Sequence, residues 1–343
     1  MVKNFYDYSG VVHVHTTFSG DSELPPESLV SYAKRFNVDF VIITDHNSIE
    51  AKYFEGFHDG VLFLVGEEIT PEDGNHLLAF DIEKFIPPSR NPQKMIDEVN
   101  KQGGLSFIEH PFFEGNRYIK RNVKMKWLDW GVKDYTGMSI FNYTCDGGER
   151  MTPLLMVIFY FFPGLDRDRP NEKRIRKWDE LTFKRKTVGI GTVDAHFVYL
   201  RFGKRKIETF PFIYYFNSIR THVLCEDKIS PQCIYEAMRK GHVYVSHNYL
   251  GSGKGFMFWA EVKDNKNYIM GDEIKFRDGI KLFAKTPLKA KTRIIKDGKK
   301  VKEVFGREIS YEVKEPGVYR IETDRFHRLH FNPWIYSNPI YIR

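Results

Sequence analysis

Five short apolar segments in the first 200 residues end in histidine or carboxylate side chains. Each segment has the length and composition of a buried strand, and helical patterns lie between the segments. This alternation predicts βα units around a parallel sheet that is covered on both faces. The residues at the five ends are His13 and His15, Asp45 and His46, Glu67 and Glu68, Glu109 and His110, and Asp194 and His196. Because a closed parallel barrel gathers the carboxyl ends of its strands into one ring, we expect these side chains to converge.

The first segment places two histidines two residues apart, in the sequence VVHVH. Side chains at positions i and i+2 point to the same face of a strand, so His13 and His15 should project together. The stretch from Thr16 to Leu24, which contains Asp21, has the composition of a loop. Pro25-Pro26 then predicts the start of a helix. The histidine pair therefore lies at the end of a strand before a βα loop, where α/β folds build their sites.

The converging residues have the chemistry of metal ligands. Together with His76, which begins the stretch HLLAFD, they include six histidines and several carboxylates. Such a cluster at one end of a barrel is costly unless cations compensate its charges and polar atoms. Imidazole and carboxylate ligands without thiolate favour Zn, Mn or Fe. The residues therefore predict a multinuclear metal site.

The motifs and their order resemble those of the PHP (polymerase and histidinol phosphatase) superfamily. The motifs are HVHTTFSGD, TDHN, GEEIT, the later histidine at position 76, EHP and DAH. The resemblance covers roughly residues 8–225, and every ligand motif occurs in the expected order. It implies an α/β fold, a distorted TIM-like (β/α)7 barrel that commonly binds three metals and hydrolyses phosphate esters.

The resemblance also implies which residues hold two to three divalent ions. The first site would use His13, His15 and Asp194 with Glu68 as a bridge, the second Glu68, His76 and His110, and the third Asp21, His46 and His196. Among these, Glu68, Asp194 and His196 are the predicted catalytic residues. Glu68 matches the bridging position in Gly-x-Glu-x-Thr, and its neighbour Glu67 is the main rival.

The remaining candidates have weaker support. Asp45 is expected to orient a histidine or to cap the loop, and Glu109 to point to the opposite face of its strand. Arg117 and Arg121 are weak candidates for phosphate contact, and a surface role is favoured for both. The histidines without motif support are His58, His222, His242, His247, His327 and His330. A structural or surface role is predicted for each of these histidines.

Two domains are predicted, a barrel over residues 1–225 and an accessory domain over residues 226–343. The barrel contains an insertion-like region at 137–186. The accessory domain would comprise a linking helix and a small C-terminal β-sandwich, because hairpin signals occur at Asp297-Gly298 and Pro316-Gly317. The apolar stretch Leu154–Leu165 is too short to span a bilayer. It is expected to be a buried helix, with a partner, membrane or dimer surface as the alternative, and the oligomeric state stays open.

Charge and cysteine content restrict the partners and the compartment. The net charge is +7, and basic clusters lie at Lys173–Lys186 and Arg201–Lys206. Solvated surface is favoured for both clusters over a site for nucleic acid. The three cysteines, Cys145, Cys225 and Cys233, suggest neither a metal pair nor a disulfide framework. Without an apolar stretch of signal-peptide length near residue 1, the cytoplasm is the predicted location.

The predicted protein is a hydrolase, a metal-dependent phosphatase acting on a small phosphomonoester or a nucleotide. Hydroxide bridging two metals in a trinuclear site would attack phosphorus in line. The first alternative is a phosphodiesterase or exonuclease acting on nucleic acid or a cyclic phosphate. Further alternatives are a non-catalytic metal-binding regulatory module and a metal-dependent amidohydrolase-type enzyme that acts on a carbon centre.

Overall fold

A computed structural model of the chain describes residues 5–115, 118, 125–161, 169–202, 205–208, 210–262 and 267–343. The chain divides into two compact units. The first unit comprises Gly10–Asn171 and Gly191–Ile219, and the second comprises Met1–Ser9, Glu172–Ile190 and Arg220–Arg343. The domain boundary at residue 225 stays a prediction, as does the insertion at 137–186.

Strands are the more abundant element among the described residues. They are β1 (Tyr6–Val14), β2 (Phe40–Ile43), β3 (Gly56–His58), β4 (Val61–Val65), β5 (Glu67–Ile69), β6 (Leu77–Phe80), β7 (Leu105–Ile108), β8 (Gly137–Asn142), β9 (Val188–Thr192), β10 (Tyr199–Phe202), β11 (Arg205–Glu208), β12 (Ile219–Cys225), β13 (Val243–His247), β14 (Met257–Glu261), β15 (Asn267–Ile269), β16 (Glu273–Ile274), β17 (Lys281–Lys296), β18 (Lys299–Glu312), β19 (Gly317–His327), β20 (His330–Ser337) and β21 (Ile340–Ile342).

The helices in the described ranges are short. They are α1 (Leu29–Arg35), α2 (Pro92–Lys101), α3 (Tyr143–Gly148), α4 (Pro153–Phe161), α5 (Glu172–Lys184), α6 (Ile213–Phe216) and α7 (Pro231–Lys240), with 3₁₀ turns at Pro26–Ser28, Glu50–Phe54 and Asn248–Leu250. Two helices begin as their sequences predict. Asn91 caps α2 by accepting a hydrogen bond from Gln93 N at 3.0 Å, and Ser230 caps α7 by accepting one from Cys233 N at 3.1 Å.

The described residues of the first unit contain three sheets. In one, β1, β2 and β4 run parallel, with β3 antiparallel to β4 at the edge. Another has the order β5-β6-β7-β8, in which the pairs β5–β6 and β6–β7 are antiparallel and β7–β8 is parallel. The third is the antiparallel pair β10–β11. The fold is therefore mixed α/β, and the predicted closed (β/α)7 barrel is not confirmed, because no sheet closes among the described residues. The β5–β6 pair is antiparallel where the chain has no intervening helix, since antiparallel strands need only a short connection. The strands β6 and β7 are also antiparallel, although α2 lies between them.

Backbone hydrogen bonds just beyond the strands nevertheless bring the carboxyl ends together. His15 N donates to Ala195 O at 3.0 Å, and Ala195 N donates to His13 O at 3.1 Å. Glu68 N donates to Asp45 O at 3.1 Å, and Glu109 N donates to His76 O at 3.1 Å. The predicted ligands at the strand ends thus converge although no sheet closes among the described residues, and His76 joins them from the residue that precedes β6.

The strands of the second unit follow the order β15-β14-β17-β19-β20-β13-β12, with β18 paired to β17. The hairpin predicted at Asp297-Gly298 joins β17 to β18, and both turn residues have positive φ, as such tight turns require. Buried Trp334, Tyr319 and Ile321 lie in the core of this unit. The predicted β-sandwich is not confirmed, because the described strands of this unit belong to one sheet.

Three further expectations concern the apolar, cysteine and basic segments. The described part of the apolar stretch forms α4, where Leu154, Val157 and Phe161 are 58–70% exposed, so the expectation of a fully buried helix is wrong for this face. Among the described residues, every helix is too short or too polar to cross a bilayer.

Cys225 and Cys233 form a disulfide, a pairing that the sequence did not suggest because it depends on how α7 packs near the end of β12.

Three cations of the basic cluster Lys173–Lys186 pair with acidic residues of α5. Arg176 contacts Glu172, while Lys177 and Lys184 both contact Glu180, at 2.7–2.9 Å. Such pairs are typical of a solvated helix face. Arg117 and Arg121, and residues 203 and 204 of the second basic cluster, lie outside the described residues.

A close packing contact in the first unit yields a stability prediction. Gly10 on β1 lies opposite Phe40 on β2, and a Cβ atom at Gly10 would come within 2.2 Å of the Phe40 ring. We expect Gly10→Ala to lower the free energy of unfolding by about 1–3 kcal/mol through overpacking. Urea denaturation followed by circular dichroism measures this change.

Gly306→Ala on β18 is the control, because a Cβ atom there would meet its nearest neighbour only at 3.9 Å. Its unfolding free energy should be unchanged or slightly higher. Equal stabilities of the two variants would contradict the proposed packing of Gly10 against Phe40.

Candidate metal centre

The buried carboxylate of Glu68 is the centre of the candidate site. Five imidazole nitrogens lie within 3.4 Å of its two oxygens. Oε1 is approached by His76 Nδ1 at 2.9 Å and His110 Nε2 at 3.2 Å, and Oε2 by His46 Nδ1 at 2.9 Å, His13 Nε2 at 3.2 Å and His15 Nε2 at 3.4 Å. A single buried carboxylate therefore connects histidines from several strand ends.

Glu68 and its neighbour Glu67 point in different directions because successive side chains of β5 alternate. Glu67 Oε2 accepts a hydrogen bond from Ile86 N at 3.0 Å and contacts none of the clustered histidines in the described structure. Burial raises the pKa of Glu67 to about 8, and the bond from Ile86 N opposes this increase. The structure thus places Glu68, and not its rival, among the predicted ligands.

Asp194 brings a second carboxylate to the histidine pair. Its Oδ1 atom lies 3.6 Å from His13 Nε2 and 3.5 Å from His15 Nε2. Its Oδ2 atom accepts a hydrogen bond from Cys145 Sγ at 3.5 Å. His13, His15, Glu68 and Asp194 thus come together as predicted for the first site.

Asp21 and two histidines form the more exposed side of the cluster. Asp21 Oδ2 is 3.3 Å from His46 Nε2 and 3.1 Å from His196 Nε2. The Asp21 side chain is 45% exposed, whereas Glu68 is buried. Ser19, on the same loop, contacts His15 Nδ1 at 2.8 Å and accepts a hydrogen bond from His46 N at 3.1 Å. The loop therefore holds Asp21 at the solvent-facing edge of the cluster.

Three groups of donor atoms each lie within a span of 4.8 Å. The groups are His13, His15 and Glu68; Glu68, His76 and His110; and His15, Asp21, His46 and His196. These groups correspond to the three predicted sites, except that Asp194 belongs to none of them and His15 also approaches the third. Ligand atoms about 2.1 Å from one ion lie about 3–3.5 Å from each other, close to the contacts observed around Glu68. The donor set and its spacing therefore fit divalent metals.

The electrostatics of the cluster explain why it favours cations. Burial raises the pKa of Glu68, but His46 and His13 outweigh this effect and hold that pKa well below its usual value. Burial likewise opposes charge on His46, yet Glu68 and Asp21 raise its pKa to about 10. The pKa of His15 is held well below its usual value by burial and by the neighbouring His196 and His46. Positive charge is therefore favoured on His46, which lies beside carboxylates, and disfavoured on His15, which lies beside other imidazoles.

Three of the predicted ligands have unusual backbone conformations. His13, His110 and Asp194 have φ values of +75°, +26° and +52°. Non-glycine residues adopt this left-handed region at an energetic cost, which the surrounding structure must offset. Each of the three residues lies at or just beyond the end of a strand, where a change of backbone direction turns the side chain into the cluster.

Two neighbouring carboxylates have distinct positions. Asp45 accepts hydrogen bonds from Thr16 N at 2.6 Å and Thr16 Oγ1 at 2.8 Å, so it caps the loop, in agreement with one of its two interpretations. Glu109 was expected on the opposite face of its strand, but its Oε2 atom lies 3.6 Å from His13 Nδ1. That expectation is wrong because β7 ends at Ile108, so strand alternation does not extend to Glu109.

Several histidines without motif support lie in ordinary structural contacts. His222 contacts Asp7 at 2.9 Å, His242 contacts Asp272 at 2.9 Å, and His58 contacts the carbonyl oxygen of Phe54 at 3.0 Å. These contacts agree with the structural role predicted for the three residues.

Comparisons with known proteins give matches to the segment that carries most of these residues. Residues 12–147 match the family model of the PHP domain. The uncharacterized protein MJ1587 of Methanocaldococcus jannaschii is 31% identical, over a match that covers 29% of this chain and 66% of that protein. The chain thus spans just under two thirds of the length of this relative.

Two solved structures show a weaker likeness. PsfC from Pseudomonas syringae is 10% identical with a TM-score of 0.43, and the match covers 67% of this chain and 88% of that one. A "putative metal-dependent phosphoesterase" from Bifidobacterium adolescentis is 15% identical with a TM-score of 0.35, covering 54% of this chain and 86% of that one. At these TM-scores, neither structure bears on the fold or activity of this chain.

The contrast between Glu68 and Glu67 yields a prediction with a matched control. We expect Glu68→Gln to lose most of the bound metal, because the amide removes the negative charge shared by the histidine groups. Glu67→Gln should retain its metal, because its amide oxygen can still accept the hydrogen bond from Ile86 N. Elemental analysis of the two purified variants, with circular dichroism to verify folding, measures the difference. Equal metal content in the two folded variants would contradict the central position of Glu68.

Proposed function

We propose that the protein is a hydrolase that cleaves phosphate esters with the help of divalent metals, since residues 12–147 match the family model of the PHP domain. The observation that carries this proposal is the buried Glu68 carboxylate with five imidazole nitrogens within 3.4 Å. Asp194 and Asp21 add further carboxylates to the same cluster. This arrangement supports a binding site for several cations next to an opening to solvent.

We assign the ligands to three sites that share residues. The first comprises His13, His15, Asp194 and Glu68; the second Glu68, His76 and His110; and the third Asp21, His46 and His196. Two to three ions of Zn, Mn or Fe would fit these donors. Such ions would supply a water of lowered pKa and would neutralise the charge on phosphate oxygens.

Three of these residues hold the ligand groups in position. Glu68 lies between the first and second groups, so its two oxygens hold both groups at a constant separation. Asp194 orients the histidine pair from the other side. His196 is kept in place because its Nδ1 atom contacts the Asp194 carbonyl oxygen at 3.2 Å, which leaves Nε2 facing Asp21. We therefore propose Glu68, Asp194 and His196 as the catalytic residues.

The exposed edge favours a substrate whose phosphate enters from outside. Asp21, His46 and His196 are the accessible members of the cluster, with side chains 45%, 21% and 15% exposed. A small phosphomonoester or a nucleotide could present its terminal phosphate there. Nucleic acid is less favoured, because Arg176, Lys177 and Lys184 of α5 pair with acidic residues of the same helix. The cytoplasm stays the proposed location, although a disulfide such as Cys225–Cys233 is more common in oxidising compartments.

Metal removal tests this proposal directly. We expect dialysis against a chelator to abolish the release of phosphate from a generic monoester such as p-nitrophenyl phosphate. Addition of Mn, Zn or Fe should restore activity, because these ions share the imidazole and carboxylate preference of the site. A diester assayed in parallel distinguishes the phosphatase from the phosphodiesterase alternative.

Unchanged activity after complete metal removal would contradict the proposal. A protein that binds metal but stays inactive on all substrates would instead support the regulatory-module alternative. His247→Ala is the control variant, because His247 lies in the second unit and belongs to none of the ligand groups. Its activity per folded molecule should match that of the wild type.

A further inference from the structure

A further buried carboxylate, Glu109, contacts the ring nitrogen of His13 that does not face Glu68. Glu109 Oε2 is 3.6 Å from His13 Nδ1, whereas His13 Nε2 lies 3.2 Å from Glu68 Oε2. Both Glu109 and His13 are completely buried. Among the described residues, neither Glu109 Oε2 nor His13 Nδ1 has a hydrogen-bond partner. Since unpaired buried polar atoms are costly, these two atoms are natural partners for each other.

The other oxygen of Glu109 is held by three donors. Oε1 accepts hydrogen bonds from Asn142 Nδ2 at 2.8 Å, from Thr192 Oγ1 at 3.0 Å and from His110 N at 3.0 Å. A carboxylate oxygen can accept several such bonds, and donors of this kind favour the ionised group. The three bonds also prevent rotation of the carboxylate, so Oε2 stays directed at His13.

The residues behind Glu109 extend to a second predicted ligand. Asn142 caps α3, where its Oδ1 atom accepts a hydrogen bond from Cys145 N at 2.8 Å. Cys145 Sγ in turn donates to Asp194 Oδ2 at 3.5 Å. The start of α3 therefore supports both His13, through Glu109, and Asp194, through Cys145. Two ligands of the first site are thus positioned by one short segment of the chain.

We propose that Glu109 is a positioning residue that sets the tautomer of His13. With its proton on Nδ1 and directed at Glu109 Oε2, His13 keeps the lone pair of Nε2 free on the side of Glu68 and Asp194. Carboxylates that hold a metal-binding histidine in this way also make the imidazole a better ligand. The inference rests on the proposed metal site, but it concerns the strength of metal binding and not the substrate.

Glu109→Gln tests the proposal with little change in shape. The amide oxygen would keep the three donors at Oε1, so the amide nitrogen would face His13 Nδ1. An N–H group at that position favours the opposite tautomer, in which the proton is on Nε2 and this nitrogen cannot bind metal. We expect Zn or Mn affinity to fall by about 10–100-fold, measured by competition with a chromophoric chelator.

A second measurement detects the tautomer of His13 directly. In long-range ¹H–¹⁵N correlation spectra of metal-free protein labelled at histidine, Glu109→Gln should convert one imidazole from the Nδ1–H to the Nε2–H form. Glu67→Gln is the matched control, since it makes the same change at a buried glutamate that accepts its described hydrogen bond from Ile86 N. The control should retain both the affinity and the histidine spectrum of the wild type.

Wild-type affinity and an unchanged tautomer in Glu109→Gln would overturn the proposal. If that variant does not fold, Thr192→Val tests the same contact, because it removes one donor to Glu109 while keeping the side-chain shape. Its metal affinity should then be reduced, and an unchanged value would overturn the proposal. A wild-type protein that binds no metal would contradict the proposed function instead, so the two failures can be distinguished.

Discussion

The burial of the Glu68 carboxylate among five imidazoles is the interaction on which the first unit depends. A carboxylate without access to water is costly unless positive charge or hydrogen-bond donors surround it. The chain meets this requirement by directing histidines from several strand ends to one point. The positive φ values of His13, His110 and Asp194 are part of the same solution, because they turn side chains inward where the strands end. The cluster thus dictates local backbone geometry as well as chemistry.

Much of the candidate site could be predicted because its residues lie next to strands with strong patterns. The i, i+2 spacing of His13 and His15 follows from strand periodicity, and Glu68 follows from its place in a recognisable motif. The structure brings all the predicted ligands except Asp194 into three overlapping groups, and Asp194 lies beside the first of them. The third group also includes His15, which a residue-by-residue assignment to separate sites did not anticipate.

The parts that could not be predicted depend on where elements end and how they pack. The antiparallel pairing of β5 with β6 goes with a missing helix, and β6 and β7 are antiparallel although α2 lies between them. The apolar pattern of the individual strands reveals neither arrangement. Glu109 was misplaced because strand alternation was extended one residue beyond Ile108. The exposure of Leu154 on α4 and the bond between Cys225 and Cys233 are likewise tertiary properties. In each case the local sequence indicates the chemistry of the residue but not which residues surround it in the fold.

Anomalous X-ray diffraction from crystals of the purified protein, collected at the Zn, Mn and Fe edges, tests the central claim most directly. We predict two to three anomalous peaks, with Glu68 contacting those of the first two groups and Asp21 lying beside the third. Peaks at these positions would establish that the carboxylates and imidazoles share cations. A crystal grown with added metal that shows no anomalous peak near Glu68 would contradict the account.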